Sequence, residues 1–251
     1  MAELTTSDIV ICSIAPRRLN IAKGDGMPNG PLTPGQIAEY ERDGYLLVSG
    51  LIPDDVASRA EALMWNALGV TPDDPSKWSP PPQPAGRLEQ PEFVGLYTRE
   101  FLEAAAQLGG GDPVSYQAPR SLYPLNTWPT TDTWRPHGPH IDHAIREHGH
   151  KTFPLPVRVA TMTYLNDVLP HGGGTVVWPG SHRHIERLAR SDPERYATMW
   201  ALNNDLDKVD IGDVVELTPR RGDVLFYHIL TAHSGSLNVT QRPRFAFNVK
   251  W

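Results

Sequence analysis

His140 and Asp142 stand two residues apart in the segment Trp134-Arg-Pro-His-Gly-Pro-His140-Ile-Asp142-His143. In extended backbone such residues point to the same side. They can therefore offer an imidazole nitrogen and a carboxylate to one ion. The best candidate for a third ligand is His233, which follows the alternating run Asp223-Val-Leu-Phe-Tyr-His-Ile-Leu230. Two histidines and one carboxylate on one face make the facial triad typical of non-haem Fe(II) oxygenases, with three coordination positions open. A His-x-Asp pair alone is a weak signal, because hydrogen-bonded structural histidines are common. The residues after His233 strengthen it. Arg244 opens the run Arg244-Phe-Ala-Phe-Asn-Val-Lys250. Alternation turns Phe245, Phe247 and Val249 toward a hydrophobic layer and Arg244, Ala246 and Asn248 toward the opposite side. A buried arginine needs an anion. A dicarboxylate co-substrate would supply one, gripped bidentately. An internal salt bridge or an exposed edge position is the other reading of Arg244.

The elements that position these residues divide the chain. Thr33 caps and Pro34 opens a helix that Gly44 stops. A strand is expected over 45–52, a helix over 53–68 and a helix over 97–108. Residues 71–94, rich in proline, read as a surface connection or a lid over a pocket. From residue 113 the texture turns to β, with strands expected at 114–126, 157–165, 174–178, 223–230 and 244–250 and a helical insert over 183–202. Helices come early and strands late, without an internal repeat. We read an N-terminal arm, 1–31, then one domain, 32–251: a mainly β core with flanking helices.

Composition excludes several classes. The chain has 251 residues, a net charge of −6, one cysteine and 25 prolines. The acidic balance argues against nucleic acid as a partner. No apolar run approaches the roughly 20 residues of a membrane span. Cys12 alone forms no internal disulfide or cysteine-ligated zinc site. Glu3 and Asp8, ahead of a very short apolar run, do not suit a secretory signal, so a cytoplasmic location is expected. Five of the ten histidines fall between His137 and His150; His143, His148 and His150 read as solvated loop residues. Trp128 and Trp134 read as packing groups.

Several segments together resemble the phytanoyl-CoA dioxygenase (PhyH-like) family of Fe(II)/2-oxoglutarate oxygenases. They are LTPGQIAEYERDGYLLVSGLI (32–52), HGPHID (137–142), YLNDVLPHGGGTVVWPGSHR (164–183), RRGDVLFYHILTAHSGSLN (220–238) and RPRFAFNVKW (242–251). The resemblance implies a double-stranded β-helix, or jelly roll. It implies His140, Asp142 and His233 as iron ligands and Arg244 as the partner of the distal carboxylate of 2-oxoglutarate. Thr175 and His137 match positions that reach the co-substrate in relatives. Gln117 and Tyr164 are further candidates, on strands expected to line the pocket. Pro179-Gly-Ser-His182 matches a structural signature, with Gly180 in a turn and His182 as a loop anchor. Some relatives carry serine where this chain has Gly235, between Ser234 and Ser236. A carboxylate at 142 favours oxygenation over halogenation, since related halogenases have a small residue there.

The activity so implied is a dioxygenase reaction. Fe(II), O2 and 2-oxoglutarate oxidise, and by this reading hydroxylate, a C–H bond of a small or medium organic metabolite of secondary metabolism, and release succinate and CO2. The substrate pocket is expected between the N-terminal arm, the loop from Trp78 to Pro84 and segment 123–137. Other readings stay open from sequence. The same oxidant supports desaturation, cyclisation or epoxidation. The same barrel also supports a cupin-like metal enzyme without 2-oxoglutarate, or a non-catalytic binding protein.

Overall fold

The computed structural model describes residues 30–251, so most of the expected N-terminal arm lies outside the described residues. Helix α1 spans Pro34–Asp43. The Thr33 hydroxyl accepts from the Gln36 N–H, and the Gln36 side chain accepts from the Thr33 N–H at 2.9 Å. This reciprocal capping box satisfies two otherwise unpaired donors. Gly44 ends the helix in the left-handed region, φ 76°, its N–H bonded to the Tyr40 carbonyl at 2.7 Å. A Cβ there would meet His182 Nδ1 at 2.3 Å. The glycine thus stops the helix and admits a neighbour.

Strand β1 (Tyr45–Val48) follows, then α2 (Asp54–Leu68), a one-turn α3 (Pro91–Val94) and α4 (Arg99–Gly109). The second half holds β2 (Ala160–Tyr164), β3 (Val176–Val177), α5 (Ser181–Ser191), α6 (Met199–Asn203), β4 (Val215–Glu216), β5 (Val224–Tyr227), β6 (His233–Ser234) and β7 (Ala246–Lys250). These strands form two antiparallel sheets, β1-β5-β2-β7 and β4-β3-β6. In the larger sheet Tyr227 pairs with Tyr45 and Ala160, and Ala160 pairs onward with Lys250.

Alternation decides which side each residue covers. Val224, Phe226 and Phe247 pack outward against Ala60 and Met64 of α2 and Phe101 and Ala104 of α4. Met162, Tyr164, Leu225, Tyr227 and Ala246 face inward, toward Val177 of the smaller sheet and Leu217 just after β4. Val176, on the other face of that sheet, packs with Ile185, Ala189, Met199 and Leu202 of α5 and α6. Two facing sheets with helices outside make a jelly-roll core, as expected. Among the described residues no helix is long and apolar enough to cross a membrane.

Two departures from expectation have clear causes. Residues 114–126 form no strand. A short 3-10 turn, Pro113–Ser115, leads into extended backbone that makes only single bridges, Leu88 with Leu122 and Pro124 with Phe247. Pro119 and Pro124 lack the N–H a ladder needs. The helical insert is also two helices, interrupted at Asp192-Pro193 because proline cannot continue the first. Strands β4 and β6, two residues each, are too short to carry a readable period.

His182 and His228 lie beside Tyr40 between α1 and α5, their rings 5.4 Å apart. His182 sits on α5 rather than in a loop, and its Nε2 is 3.3 Å from the Glu41 carbonyl oxygen, so it anchors α1. Burial, then the neighbouring His182, pushes the His228 pKa down to about 4. Its Nδ1 accepts the Leu230 N–H at 3.2 Å, a bond that protonation would break. In the unfolded chain the imidazole titrates near 6.5, so between these values the unfolded state binds more protons. Stability is therefore full above pH 6.5 and falls as pH drops toward 4, by about 3 kcal/mol from this one group. We expect His228→Gln to flatten that part of the curve when denaturation midpoints are measured from pH 7 to 4. An unchanged slope would show that His228 is not the source.

Candidate metal centre

The two histidines of the triad are tied together through their backbones. The His140 N–H donates to the His233 carbonyl and the His233 N–H to the His140 carbonyl, both at 3.0 Å. Asp142, two residues on, comes to the same side. The ligating atoms of His140, Asp142 and His233 all lie within 4.8 Å of one another. His233 is buried, with Nδ1 2.9 Å from the Thr231 carbonyl oxygen. A proton on Nδ1 donates there and leaves the Nε2 lone pair for a metal, 3.7 Å from Asp142 Oδ2.

Asp142 is gripped at both oxygens. Oδ2 accepts the Tyr227 hydroxyl at 2.8 Å, and Oδ1 lies 2.9 Å from Lys250 Nζ. Asn248 Nδ2 donates in turn to the Tyr227 oxygen at 2.8 Å. Burial by itself would raise the Asp142 pKa, but His233, Lys250 and the Tyr227 hydroxyl outweigh it and hold the carboxyl below its ordinary range. Desolvation, then His233, pushes His140 down to about 4. Near neutral pH the set therefore offers a carboxylate and an uncharged His140 imidazole, the forms that bind metal.

A cavity of about 330 Å³ joins the triad to Arg244. Arg244, two residues ahead of β7, is buried, as the alternation requires; Nη2 donates to Thr127 Oγ1, and Nε has no hydrogen-bond partner among the described residues. Burial pulls its pKa below the usual arginine range. Among the described residues no carboxylate forms an ion pair with it, so the internal salt bridge is not made. A desolvated guanidinium with an unused donor, facing a cavity, fits a carboxylate. The triad and this arginine therefore fit Fe(II) and 2-oxoglutarate respectively.

Thr175 lines the cavity and accepts the Tyr164 hydroxyl at 2.8 Å. Tyr164 stands behind Thr175 and braces it, outside the cavity wall. Thr175 is seated by close backbone approach, since a Cβ on Gly174 would fall 2.4 Å from the Leu217 carbonyl oxygen. His137 also lines the cavity, with its N–H on the Gly235 carbonyl at 3.0 Å. Gln117 is not brought to the site. It is exposed, its amide donates to the Val114 carbonyl, and its own carbonyl takes the Trp251 indole N–H. The missing strand over 114–126 is the reason. Gly235 and Ser236 both border the cavity, and the Ser236 hydroxyl is spent on the Gly174 carbonyl.

Segment 123–137 does supply cavity wall, through Leu125, Asn126, Thr127 and His137. The Trp78 loop does not. Trp78 and Trp128 pack against each other at 5.6 Å, and both contact Trp65. Trp134 stacks on His171 at 4.5 Å. Of the loop histidines, His148 is exposed, but His143 is half-buried against His150 and not solvated as expected. Sequence reading missed Tyr227 and Lys250. The alternation that turned Arg244 and Asn248 inward, carried two residues further, reaches Lys250.

A jelly roll with a His-Asp-His triad and a buried, anion-ready arginine in one cavity is the site of a non-haem Fe(II)/2-oxoglutarate-dependent dioxygenase. The chain belongs to the phytanoyl-CoA dioxygenase (PhyH) family, whose model matches residues 40–246. It is 24% identical over 242 residues to ectoine dioxygenase of Stutzerimonas stutzeri (strain A1501), covering 87% of this chain and 76% of that protein. Among solved structures it resembles SnoK, a non-heme alpha ketoglutarate dependent carbocyclase from nogalamycin biosynthesis, with a TM-score of 0.58 and 18% identity over 90% of this chain and 86% of that one. EctD from S. alaskensis with bound Fe gives a TM-score of 0.57 and 20% identity over 93% and 81%.

Asn238 fixes the turn that delivers Arg244. Fully buried, its Nδ2 donates to the Thr127 and Arg242 carbonyls, and its Oδ1 accepts the Thr240 N–H and hydroxyl. Asn238→Ala strands these groups, and we expect a loss of about 2 kcal/mol in urea unfolding. A loss below about 0.5 kcal/mol, the usual range of an incidental surface change, would contradict this role.

Proposed function

We propose that this protein hydroxylates a C–H bond of a small or medium organic metabolite, converting 2-oxoglutarate to succinate and CO2. The observation that carries the reading is the pairing, within one cavity, of a metal-competent triad with a buried arginine that has no anion partner among the described residues. His140, Asp142 and His233 hold the metal. Arg244 receives the distal carboxylate of the co-substrate, and Thr175, braced by Tyr164, borders the same end with a hydroxyl. His137 bounds the cavity beside His140. When bound, Fe(II), O2 and 2-oxoglutarate supply the oxidising chemistry. The protein orients substrate and excludes water, with Leu125 and Met162 giving an apolar wall and Asn126 and Asn248 polar points. No side chain is required as an acid or base.

The cavity is at the small end of ligand pockets, which run from about 300 to 1,000 Å³, and this supports a compact substrate or one that enters only in part. The relatives named for ectoine and for nogalamycin biosynthesis support a small-molecule substrate of specialised metabolism here too. Similarity to a carbocyclase, and to the epimerase SnoN at a TM-score of 0.57, supports a second outcome from the same site, ring closure or epimerisation. We assign residues 32–251 to one oxygenase domain. The single cysteine supports work in a reducing cytoplasm.

The test is an anaerobic titration of metal-free protein with Fe(II) and then 2-oxoglutarate, following the visible charge-transfer band of the chelate. The parent should develop the band and His140→Ala should lose it. Arg244→Ala should need about tenfold to a hundredfold more 2-oxoglutarate, as loss of a charged hydrogen-bond pair implies. Metal binding without any response to 2-oxoglutarate would reject the oxygenase reading and favour a cupin-like metal enzyme. No metal binding would leave a binding protein.

A further inference from the structure

Lys250 places a cation where a metal centre gains least from one. Its Nζ is 2.9 Å from Asp142 Oδ1, the only ion pair it forms among the described residues. The other oxygen, Oδ2, takes the Tyr227 hydroxyl and faces His233 Nε2 at 3.7 Å. The two carboxylate oxygens are therefore divided, one toward the other ligands and one toward the lysine. Lys250 holds this place as an inward-facing residue of β7, in register with Ala160 of β2. Its side chain is 24% exposed. The titratable groups around it are Asp142, His140 and His143.

An ammonium beside the one carboxylate of the triad opposes a divalent cation by simple charge repulsion. Its effect on geometry runs the other way. A carboxylate free to turn can bind a cation through both oxygens. That would occupy a position which a chelating co-substrate needs. We propose that Lys250 is a positioning residue that keeps Asp142 a one-oxygen ligand. It weakens divalent-cation binding and, in return, preserves coordination positions and positive charge for the anionic co-substrate. The co-substrate half of this statement rests on the oxygenase reading above; the metal half rests on the ion pair alone.

The two halves predict opposite signs, which disturbed packing does not. Metal-stripped full-length protein is titrated with Co(II), read by its visible absorption, and then with 2-oxoglutarate. In Lys250→Met, Co(II) should bind about tenfold tighter, with weaker absorption bands as coordination number rises. 2-Oxoglutarate should bind the Co(II) protein about tenfold more weakly. Lys250→Arg, which keeps the charge, should return both constants toward the parent. Should Lys250→Met not fold, Lys250→Gln carries the same comparison. Unchanged constants, or both weakened together, overturn the proposal. A parent that binds Co(II) but not 2-oxoglutarate rejects the oxygenase reading and with it the co-substrate half. The metal half is then decided by whether Lys250→Met still tightens Co(II).

Discussion

The site depends on a reciprocal pair of backbone hydrogen bonds between His140 and His233. These residues come from distant parts of the chain, and neither element is long. Strand β6 has two residues, and His140 meets it through a single bridge. Backbone pairing of this kind fixes where both Cα atoms lie, so the side chains need only choose rotamers to converge. Asp142 inherits its position from His140 by the two-residue period of extended backbone. The larger sheet then completes the arrangement from the opposite side, with Tyr227 from β5 and Lys250 from β7 closing on the carboxylate.

The electrostatics follow from burial opposed by specific partners. Arg244 is desolvated with no anion among the described residues, Asp142 is desolvated but held by Tyr227 and Lys250, and burial keeps His140 neutral. One cavity therefore holds a guanidinium without an anion among the described residues, together with an ionised Asp142 and an uncharged His140. The segment from Arg244 through β7 contributes to both conditions. Arg244 precedes β7 and Lys250 ends it, with Asn248 between them bonded to Tyr227. Asn166 secures the start of that strand, accepting the Phe245 N–H at 2.9 Å and donating to the Pro243 carbonyl at 2.8 Å.

Much of this was legible from sequence where a strong local rule operates. Thr33-Pro34 and Gly44 carry helix-end chemistry, and α1 begins and ends there. Phe245, Phe247 and Val249 against Arg244 and Asn248 carry a clean two-residue period, and the sides came out as read. The failures share one physical cause, which is that extended backbone need not be strand. Residues 114–126 have β-forming side chains, but their prolines remove donors, and Gln117 consequently faces solvent. Lys250 and Tyr227 escaped notice because lysine at a chain end and tyrosine in an apolar run are ordinary. What distinguishes them is a partner, Asp142, that only the folded chain brings near.

The prolines that defeated the strand expectation also shape one edge of the larger sheet. Strand β7 is one of the two outer strands of the larger sheet, and an unpaired outer strand is a template for another chain. Here the neighbouring segment touches it at Pro124, opposite Phe247, and bridges Arg244 just ahead of it through Thr127, and Pro119 lies in the same segment. Such a segment covers the edge but presents few donors of its own for a further strand to read. The covered edge of β7 is thus a poor template for edge-to-edge pairing.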